Sequence, residues 1–346
     1  MQWRPDPRRM VARSGRSAAI YAGRALLTIS IAFGALGAQP LGYAHAAGDV
    51  QPFDLSIDKN KDGIPDQLAL AVKTIGDAKT EEEQDAAIKD FASRLPYSDE
   101  TRAAQAKAEQ LQQQLDATED PKEAEQLTDQ LQALGEEMKQ DSGYAKTIEA
   151  LDTIVKPDEL KDEMHTQSIP WSSARRGDIL LQLDLLSLPT YFYAMNYNHT
   201  GNFYGNQDGQ LHHEILDSVI SGVRLAPLSE WQGFGKFVMI ARDGVASQQA
   251  VINAMENRKH QFIDLRHTPY NFNFADKWTD NAVYCAQLTW KIHNDVGVNL
   301  DSNHWLYRAY ITARWGFWAG LLTIPAVAPD EIRLSPNMFP VGSGWG

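Results

Sequence analysis

The stretch NAVYCAQLTWKIHND, residues 281–295, contains the only cysteine of the 346-residue chain, Cys285. Its apolar residues recur at helical spacing, which predicts a helix capped by Thr279, Asp280 or Asn281. The thiol then lies near the first turn, where backbone N–H groups and the helix dipole favour a thiolate nucleophile. Taken alone, however, this helix favours an inert cysteine that packs as a small apolar residue.

A cysteine nucleophile needs a general base, and histidine is the usual side chain for that role. His199 begins the predicted strand HTGNFYG (199–205), and its small neighbours leave the ring accessible. His293 lies about two turns along the cysteine's own helix, which is too far to reach the thiol. Spacing alone also leaves open His212, His213, His267 and His304.

From about residue 166 the sequence is typical of an α+β domain. Short apolar or alternating runs, broken by Gly, Pro and Asp, predict strands. Besides HTGNFYG these runs are GDILLQL (177–183), HHEILDSV (212–219), GVRLAPL (222–228), KFVMIAR (236–242) and YNFNF (270–274). The segment SQQAVINAMENR (247–258) instead has a partial apolar face at helical spacing, so it predicts a helix.

From about Ala174 to the C-terminus, the order of short motifs resembles the circularly permuted, NlpC-type papain-like cysteine hydrolases. This group includes lecithin retinol acyltransferase-like and YiiX/YebB-like proteins. In ordinary papain-like enzymes the cysteine comes first, whereas the order here is histidine, acid, cysteine. The motifs are GDIL (177–180), HTG (199–201), ILDS (215–218), GV (222–223), PL (227–228), PYNF (269–272) and YC (284–285).

The resemblance implies a permuted papain-like catalytic domain with an antiparallel sheet over residues 166–346. It implies that Cys285 attacks a carbonyl and that His199 is the general base and acid. Asp217 holds the family's acid position, which is more often Glu, and is expected to orient the imidazole. The alternatives are His213 and Glu214, although Glu214 is three residues from Asp217 and so points to the opposite face of a regular strand. No cofactor for catalysis is implied.

Residues 1–46 have the pattern of a signal peptide. Six arginines and one acid in the first 24 residues precede the apolar run ALLTISIAFGALGA (25–38) and the small-residue motif AHA (44–46). The apolar run is shorter than the roughly 20 residues that span a bilayer. We therefore expect an exported protein, periplasmic or secreted, with a retained N-terminal anchor as the alternative.

Residues 47–70 contain an Asp-rich loop with the spacing D-x-N-x-D-G-x-x-D. Its candidate metal ligands are Asp58, Asn60, Asp62 and Asp66. Gly63 permits a sharp turn, and alternating oxygen side chains suit Ca²⁺. The loop resembles the calcium loops of dockerins and thrombospondin type-3 repeats, although Ala69 stands where an EF-hand has a bidentate Glu. We predict a structural Ca²⁺ site, with a polar loop without metal as the alternative.

Residues 71–165 are rich in Glu, Gln, Lys and Ala and predict an α-helical hairpin or coiled coil. Ser98 is the predicted cap of a helix that runs to about Asp116. Asp120 and Pro121 then predict the start of a second helix, whose apolar stripe contains three leucines. We expect this segment to act as a spacer or as an arm that binds a partner.

Charge and composition restrict the partners. The chain has a formal net charge of −13, and loss of the basic leader would make the remainder more acidic still. This balance argues against nucleic acid or an anionic bilayer as an electrostatic partner. The resemblance implies a cell-wall peptide or a lipid-type acyl substrate. The apolar segment at 305–325 is interpreted as a core helix, with an acyl-chain wall or peripheral membrane contact as the alternative.

Two other functions stay open at this point. His199 and the HHE motif at 212–214 offer ligands for a zinc hydrolase, but adjacent strand residues point to opposite faces. The second alternative is a non-catalytic cell-envelope binding module in which Cys285 is vestigial and the helical segment binds the partner.

Overall fold

The computed structural model describes residues 50–118, 120–156, 160, 168–184, 194–205, 214–233 and 235–346. The predicted signal peptide lies outside these residues, as do the candidate ligands His212 and His213. Their assignments therefore stay predictions.

Five helices form the N-terminal part of the described chain. They are α1 (Asp66–Asp77), α2 (Glu81–Ser93), α3 (Asp99–Ala117), α4 (Pro121–Met138) and α5 (Ser142–Val155). The Ser98 hydroxyl accepts the N–H of Thr101 at the start of α3, and Asp120 accepts the N–H of Lys122 at the start of α4. These side chains satisfy backbone donors that have no partner within the helix. Both predicted caps are therefore confirmed.

The N-terminal helices pack on the C-terminal region. Leu127, Leu131 and Leu134 of α4 are buried in a core cluster that also contains residues of the sheet and of the last helices. Tyr97 Oη donates to the carbonyl of Ala313 at 3.0 Å, across 216 residues of sequence. The helical segment thus shares its core with the region that follows it. Whether it also acts as a partner-binding arm stays a prediction.

The C-terminal region is built around a six-stranded antiparallel sheet. Its strand order is β4-β3-β2-β1-β5-β6. Its strands are β1 (Ile179–Asp184), β2 (His199–Phe203), β3 (Glu214–Val219), β4 (Gly222–Pro227), β5 (Lys236–Asp243) and β6 (Met338–Trp345). One face packs on helices through residues such as Leu216 and Leu288. The opposite face carries a second cluster around Ile215 and Trp231. Five predicted strands are confirmed, whereas β6 was not foreseen.

The prediction of a strand at YNFNF is wrong. The N–H of Asn273 donates to the side-chain Oδ1 of Asn271 at 3.0 Å, and the N–H of Phe274 donates to the carbonyl of Phe272 at 3.1 Å. These donors bond within the segment instead of to a neighbouring strand. The Asn side chain thus offers the backbone an alternative to a sheet ladder.

Five further α-helices lie between β5 and β6 in the described chain: α6 (Gln248–Lys259), α7 (Cys285–Asn294), α8 (Trp305–Trp315), α9 (Phe317–Leu322) and α10 (Pro329–Arg333). The predicted helix in 247–258 is confirmed as α6. The segment 305–325 forms α8 and α9 instead of one helix, since Gly316 breaks it with φ of 97°. Tyr307, Ile311 and Trp315 of α8 have no exposed surface, so this segment is core. Among the described residues, no helix combines the length and apolar character needed to cross a bilayer.

The Asp-rich loop turns sharply at Gly63, whose φ is 84°. The two carboxylate oxygens of Asp58 accept the N–H groups of Lys61 and Gly63 at 2.8 and 2.9 Å. Asp66 is the first residue of α1 and accepts the N–H of Lys59. In the described chain, no three His, Cys, Asp or Glu side chains converge as metal ligands. Calcium binding stays a prediction, which calorimetric titration of the protein with Ca²⁺ would test.

Candidate active site

Helix α7 presents the thiol at its first residue. The helix begins at Cys285 with Tyr284 as its N-cap, so the predicted caps Thr279, Asp280 and Asn281 are wrong. The cause is tertiary: Gln287 accepts the N–H of Tyr284 and donates to the carbonyls preceding the helix, including that of Thr279 at 2.9 Å. These bonds hold the preceding residues in an irregular loop. Consequently Cys285 lies at the N-terminus of the helix dipole.

Strand β2 presents His199 at its first residue, beside the end of β1. His199 pairs with Gln182 in the sheet register. Immediately before it, the Asn198 side chain donates to the carbonyl of Asp184 at 2.7 Å and accepts its N–H at 2.9 Å. This pair of bonds closes the end of the β1–β2 ladder, so the position of the imidazole is fixed by main-chain geometry.

The imidazole contacts a buried carboxylate on the next strand. His199 Nε2 lies 3.2 Å from Asp217 Oδ2, and the Asp217 side chain is only 1% exposed. The histidine side chain is 16% exposed. Because Nε2 faces the carboxylate, Nδ1 is the ring nitrogen left for the thiol. The three residues predicted for catalysis thus lie in one place.

The alternative residues are placed elsewhere or fall outside the described chain. Glu214 is the first residue of β3, three positions before Asp217. His304 caps α8 by accepting the N–H of Leu306. His293 is fully buried, with Nδ1 at 2.9 Å from Asp243 Oδ2. The histidine that is hydrogen-bonded to the Cys285 thiol is His199.

Opposed effects set the pKa values of the pair. Burial raises the pKa of the Cys285 thiol, but the hydrogen bond and charge of His199 outweigh it, and the pKa is lowered overall. Burial by itself lowers the pKa of His199, whereas contacts with Asp217 and Cys285 raise that pKa to about 10. Each partner stabilises the charged form of the other. The contact therefore favours a thiolate and an imidazolium over the neutral pair.

Arg224 is a site residue that the sequence analysis missed. It pairs with Asp217 in the β3–β4 register, and its Nε donates to Asp217 Oδ1 at 3.1 Å. Its Nη2 also donates to Glu230 at 2.6 Å. The sequence alone could have predicted this pair, because Asp217 and Arg224 are equally distant from the turn of a tight hairpin at 220–221. Residues so placed lie opposite each other, and opposite charges there attract.

Tyr270 is a second missed residue, although it lies within the quoted PYNF motif. Its hydroxyl is hydrogen-bonded to the Cys285 side chain, and the side chain is buried. Burial and the neighbouring sulfur raise the pKa of Tyr270 well above its usual value. The phenol therefore stays neutral and can donate its proton to a developing negative charge.

Gly201 explains why a glycine follows two residues after the histidine. The Trp231 ring lies against the imidazole with ring centroids 5.0 Å apart. A Cβ at position 201 would lie 2.7 Å from Trp231 Cζ2 and 2.6 Å from Ile215 Cγ2. The missing side chain thus lets Trp231 approach the strand and cover one side of His199.

We predict that Gly201→Ala lowers the free energy of unfolding by about 1–3 kcal/mol, the usual cost of overpacking a core. Thermal denaturation would measure the change. Gly244→Ala is the matched control, since its Cβ would meet nothing closer than 3.4 Å. Equal losses in the two variants would contradict the steric argument.

The comparison with known families agrees with this geometry. Residues 173–341 match the family described as permuted papain-like amidase enzymes, YaeF/YiiX, C92 family. This part of the chain is thus similar to a circularly permuted papain-like family. The match begins before β1 and ends within β6, so it covers the whole sheet up to its last strand. No curated protein and no solved structure matches the chain.

The family assignment confirms the resemblance derived from the motif order. A permuted papain-like region combines helices with an antiparallel sheet, as observed here, and supports cysteine hydrolase activity. The N-terminal helices α1 to α5 lie outside the match.

Proposed function

We propose that this protein is an exported cysteine hydrolase of the Cys-His-Asp type, which cleaves an amide or ester through a thioester acyl-enzyme. The observation that carries the proposal is the contact series from Cys285 through His199 to the buried Asp217. It combines a thiolate, a proton carrier and a group that orients the carrier, the three parts that acyl transfer by a nucleophile requires.

In the first half of the reaction, the Cys285 thiolate attacks the carbonyl carbon and forms a tetrahedral oxyanion. The hydroxyl of Tyr270 and the N–H of Ala286, both hydrogen-bonded to the sulfur, are the proposed donors to that oxyanion. The imidazolium of His199 then gives its proton to the leaving nitrogen or oxygen. The carbon–leaving-group bond breaks, and a thioester remains on Cys285.

In the second half, neutral His199 takes a proton from water as the water attacks the thioester carbonyl. Collapse of the second tetrahedral intermediate releases the carboxylic acid and restores the thiolate–imidazolium pair. Asp217 holds the ring throughout by its contact with Nε2. Arg224 in turn holds Asp217 by its own hydrogen bonds.

For the substrate we favour a peptide amide of the cell-wall type over a lipid acyl group. The description of the matched family as amidases supports an amide. The apolar segment 305–325 was the candidate wall for an acyl chain. Its helix α8 instead packs against α1, α2 and α5 inside the protein. The strongly acidic composition makes nucleic acid an unsuitable partner. Export itself rests on the leader-like pattern at residues 1–46.

The test offers the purified protein muropeptides in parallel with nitrophenyl acyl esters. We expect thiol-dependent hydrolysis of the peptides that iodoacetamide abolishes and a metal chelator leaves unchanged. Activity that survives alkylation but is lost to a chelator would replace this proposal with a zinc hydrolase. Failure to cleave either substrate would favour the non-catalytic binding module.

Arg224→Met is expected to lower kcat/KM about tenfold, because it removes a charged hydrogen bond from the buried Asp217 carboxylate. A tenfold change corresponds to about 1.4 kcal/mol, in the range of one such bond. Steady-state kinetics on the cleaved substrate would measure it. Glu230→Gln is the control, since it removes only the exposed partner of Arg224. Equal losses of kcat/KM in both variants would attribute the effect to the exposed Arg224–Glu230 pair instead.

A further inference from the structure

The backbone just before His199 is held by elements that are distant in the sequence. Arg314 Nη1 of α8 donates to the carbonyl of Ala194 at 2.9 Å. The side chain of Asn196 donates to the carbonyl of Val155, the last residue of α5, at 3.1 Å. The stretch 194–198 is therefore fixed on both its carbonyl and its side-chain groups before β2 begins.

The strongest of these contacts comes from Asp330. This residue is the second residue of α10 and has no exposed surface. Its carboxylate accepts the N–H groups of three consecutive residues, Met195 at 2.8 Å, Asn196 at 3.0 Å and Tyr197 at 3.2 Å. The partners are 133–135 residues away in sequence.

Burying a carboxylate costs free energy. A buried carboxylate loses its hydration and is tolerated only when donors surround it. Three successive N–H groups that converge on one anion form the kind of concave backbone site that compensates for this loss. The same N–H groups could be satisfied by a neutral acceptor at lower cost. The three hydrogen bonds to one side chain thus specify one conformation of residues 195–197.

That conformation determines where the imidazole lies. Only Asn198 separates the held residues from His199, and Asn198 is itself locked to Asp184 by two hydrogen bonds. A small rotation of residues 195–197 would shift the first residue of β2 relative to Cys285. Displacements of about 1 Å in a catalytic group can cost about a hundredfold in rate.

We propose that Asp330 is a positioning residue that fixes His199 against Cys285 by holding the N–H groups of residues 195–197. The inference rests on the proposed function, since it assigns Asp330 a role in that same thiolate–imidazolium pair. Asp330 itself touches backbone N–H groups and acts only through His199.

The charge state of Asp330 adds a pH signature. Burial raises its pKa to about 7, against the opposing effect of the three N–H groups and of Arg333. Of the neighbouring ionisable groups, Glu331 adjoins it in α10, and Glu331 in turn faces Lys277 and Asp301. The ionised carboxylate is the better acceptor for three donors. Because the fold raises this pKa, however, ionisation of Asp330 lowers the stability of the folded state as the pH rises from about 4 to about 7.

The test uses the single thiol as its own probe. The rate of Cys285 alkylation by iodoacetamide is measured from pH 4 to 10 in the full chain, for wild type, Asp330→Asn and the control Glu331→Gln. Glu331 is a buried carboxylate of the same helix whose Oε2 accepts the N–H of Ala328. We expect Asp330→Asn to move the midpoint of the alkylation profile upward by about one pH unit, which is a tenfold loss of rate on the acidic side. The reason is that an amide NH2 replaces one of the two accepting oxygens and cannot accept an N–H at any pH. Glu331→Gln should keep the wild-type midpoint.

A folded Asp330→Asn protein with an unchanged midpoint would overturn the proposal, because displacement of His199 must raise the pKa of the Cys285 thiol. His199→Ala, measured beside it, separates the two claims. If His199→Ala also keeps the wild-type midpoint, the proposed catalytic pair is wrong; if only Asp330→Asn does, the positioning role alone is wrong. Should Asp330→Asn fail to fold, hydrogen exchange in the wild type decides. Exchange of the amides of residues 195–197 at unprotected rates would refute the tether.

Discussion

Replacing Cys285 with serine is expected to lower the hydrolysis rate about a thousandfold or more. The serine hydroxyl is far less acidic than the thiol, so His199 cannot hold it as an anion at neutral pH. The remaining groups would still bind substrate but would lack the nucleophile, so the loss should appear in kcat more than in KM. Steady-state kinetics on the peptide substrate would measure both constants.

The fold should survive this change, because serine has nearly the volume of cysteine. The sulfur accepts hydrogen bonds from the N–H groups of Thr200 and Ala286, and a serine oxygen can accept them as well. Cys285→Ala serves as the second variant and should lose as much activity. A Cys285→Ser protein that melts like wild type and still hydrolyses peptides at the wild-type rate would disprove the nucleophile assignment.

The second large effect is expected for His199→Ala. Removing the imidazolium eliminates the contacts that lower the pKa of Cys285 and leaves the burial that raises it. An ordinary thiol with a pKa of about 8.5 is less than about 1% thiolate at pH 6. Alkylation by iodoacetamide should therefore be about a hundredfold slower than wild type at pH 6. The difference should narrow steadily above pH 9, where an unassisted thiol ionises by itself.

The wild-type profile should have a long plateau. The lowered pKa of Cys285 sets its acidic limb, and the pair persists until His199 loses its proton near its pKa of about 10. The exposed His260 is the control, because its ring pairs with Asp264 on the surface. His260→Ala should reproduce the wild-type profile. If wild type and His199→Ala were alkylated at the same slow rate at pH 6, His199 would not activate the thiol.

Motif order predicted much of the site. His199, Asp217 and Cys285 were assigned from the order of short segments, and the structure brings them within contact of one another. Strand periodicity located the strands that carry the first two. These features are local, since alternation and turn residues are visible in a few consecutive positions.

The remaining features depend on contacts that leave no local pattern. Gln287 moves the start of α7 to Cys285 by bonding to the preceding loop, which overrides three good capping residues. Asp330 meets backbone N–H groups, which every residue type except proline carries, so no partner side chain marks the contact. Arg224 was within reach of sequence reasoning, because the hairpin fixes its partner. The bounds of α1 and α2 were not predicted, because a helix-rich composition does not locate where a helix begins or ends.

Cys285 is the single cysteine in the sequence of 346 residues. Oxidation to a sulfenic acid would therefore find no second cysteine in the chain to capture it as a disulfide. Recovery would depend on a small reductant or another protein that reaches the end of β2. Without such a rescuer, further oxidation to the sulfinic acid would inactivate the molecule permanently.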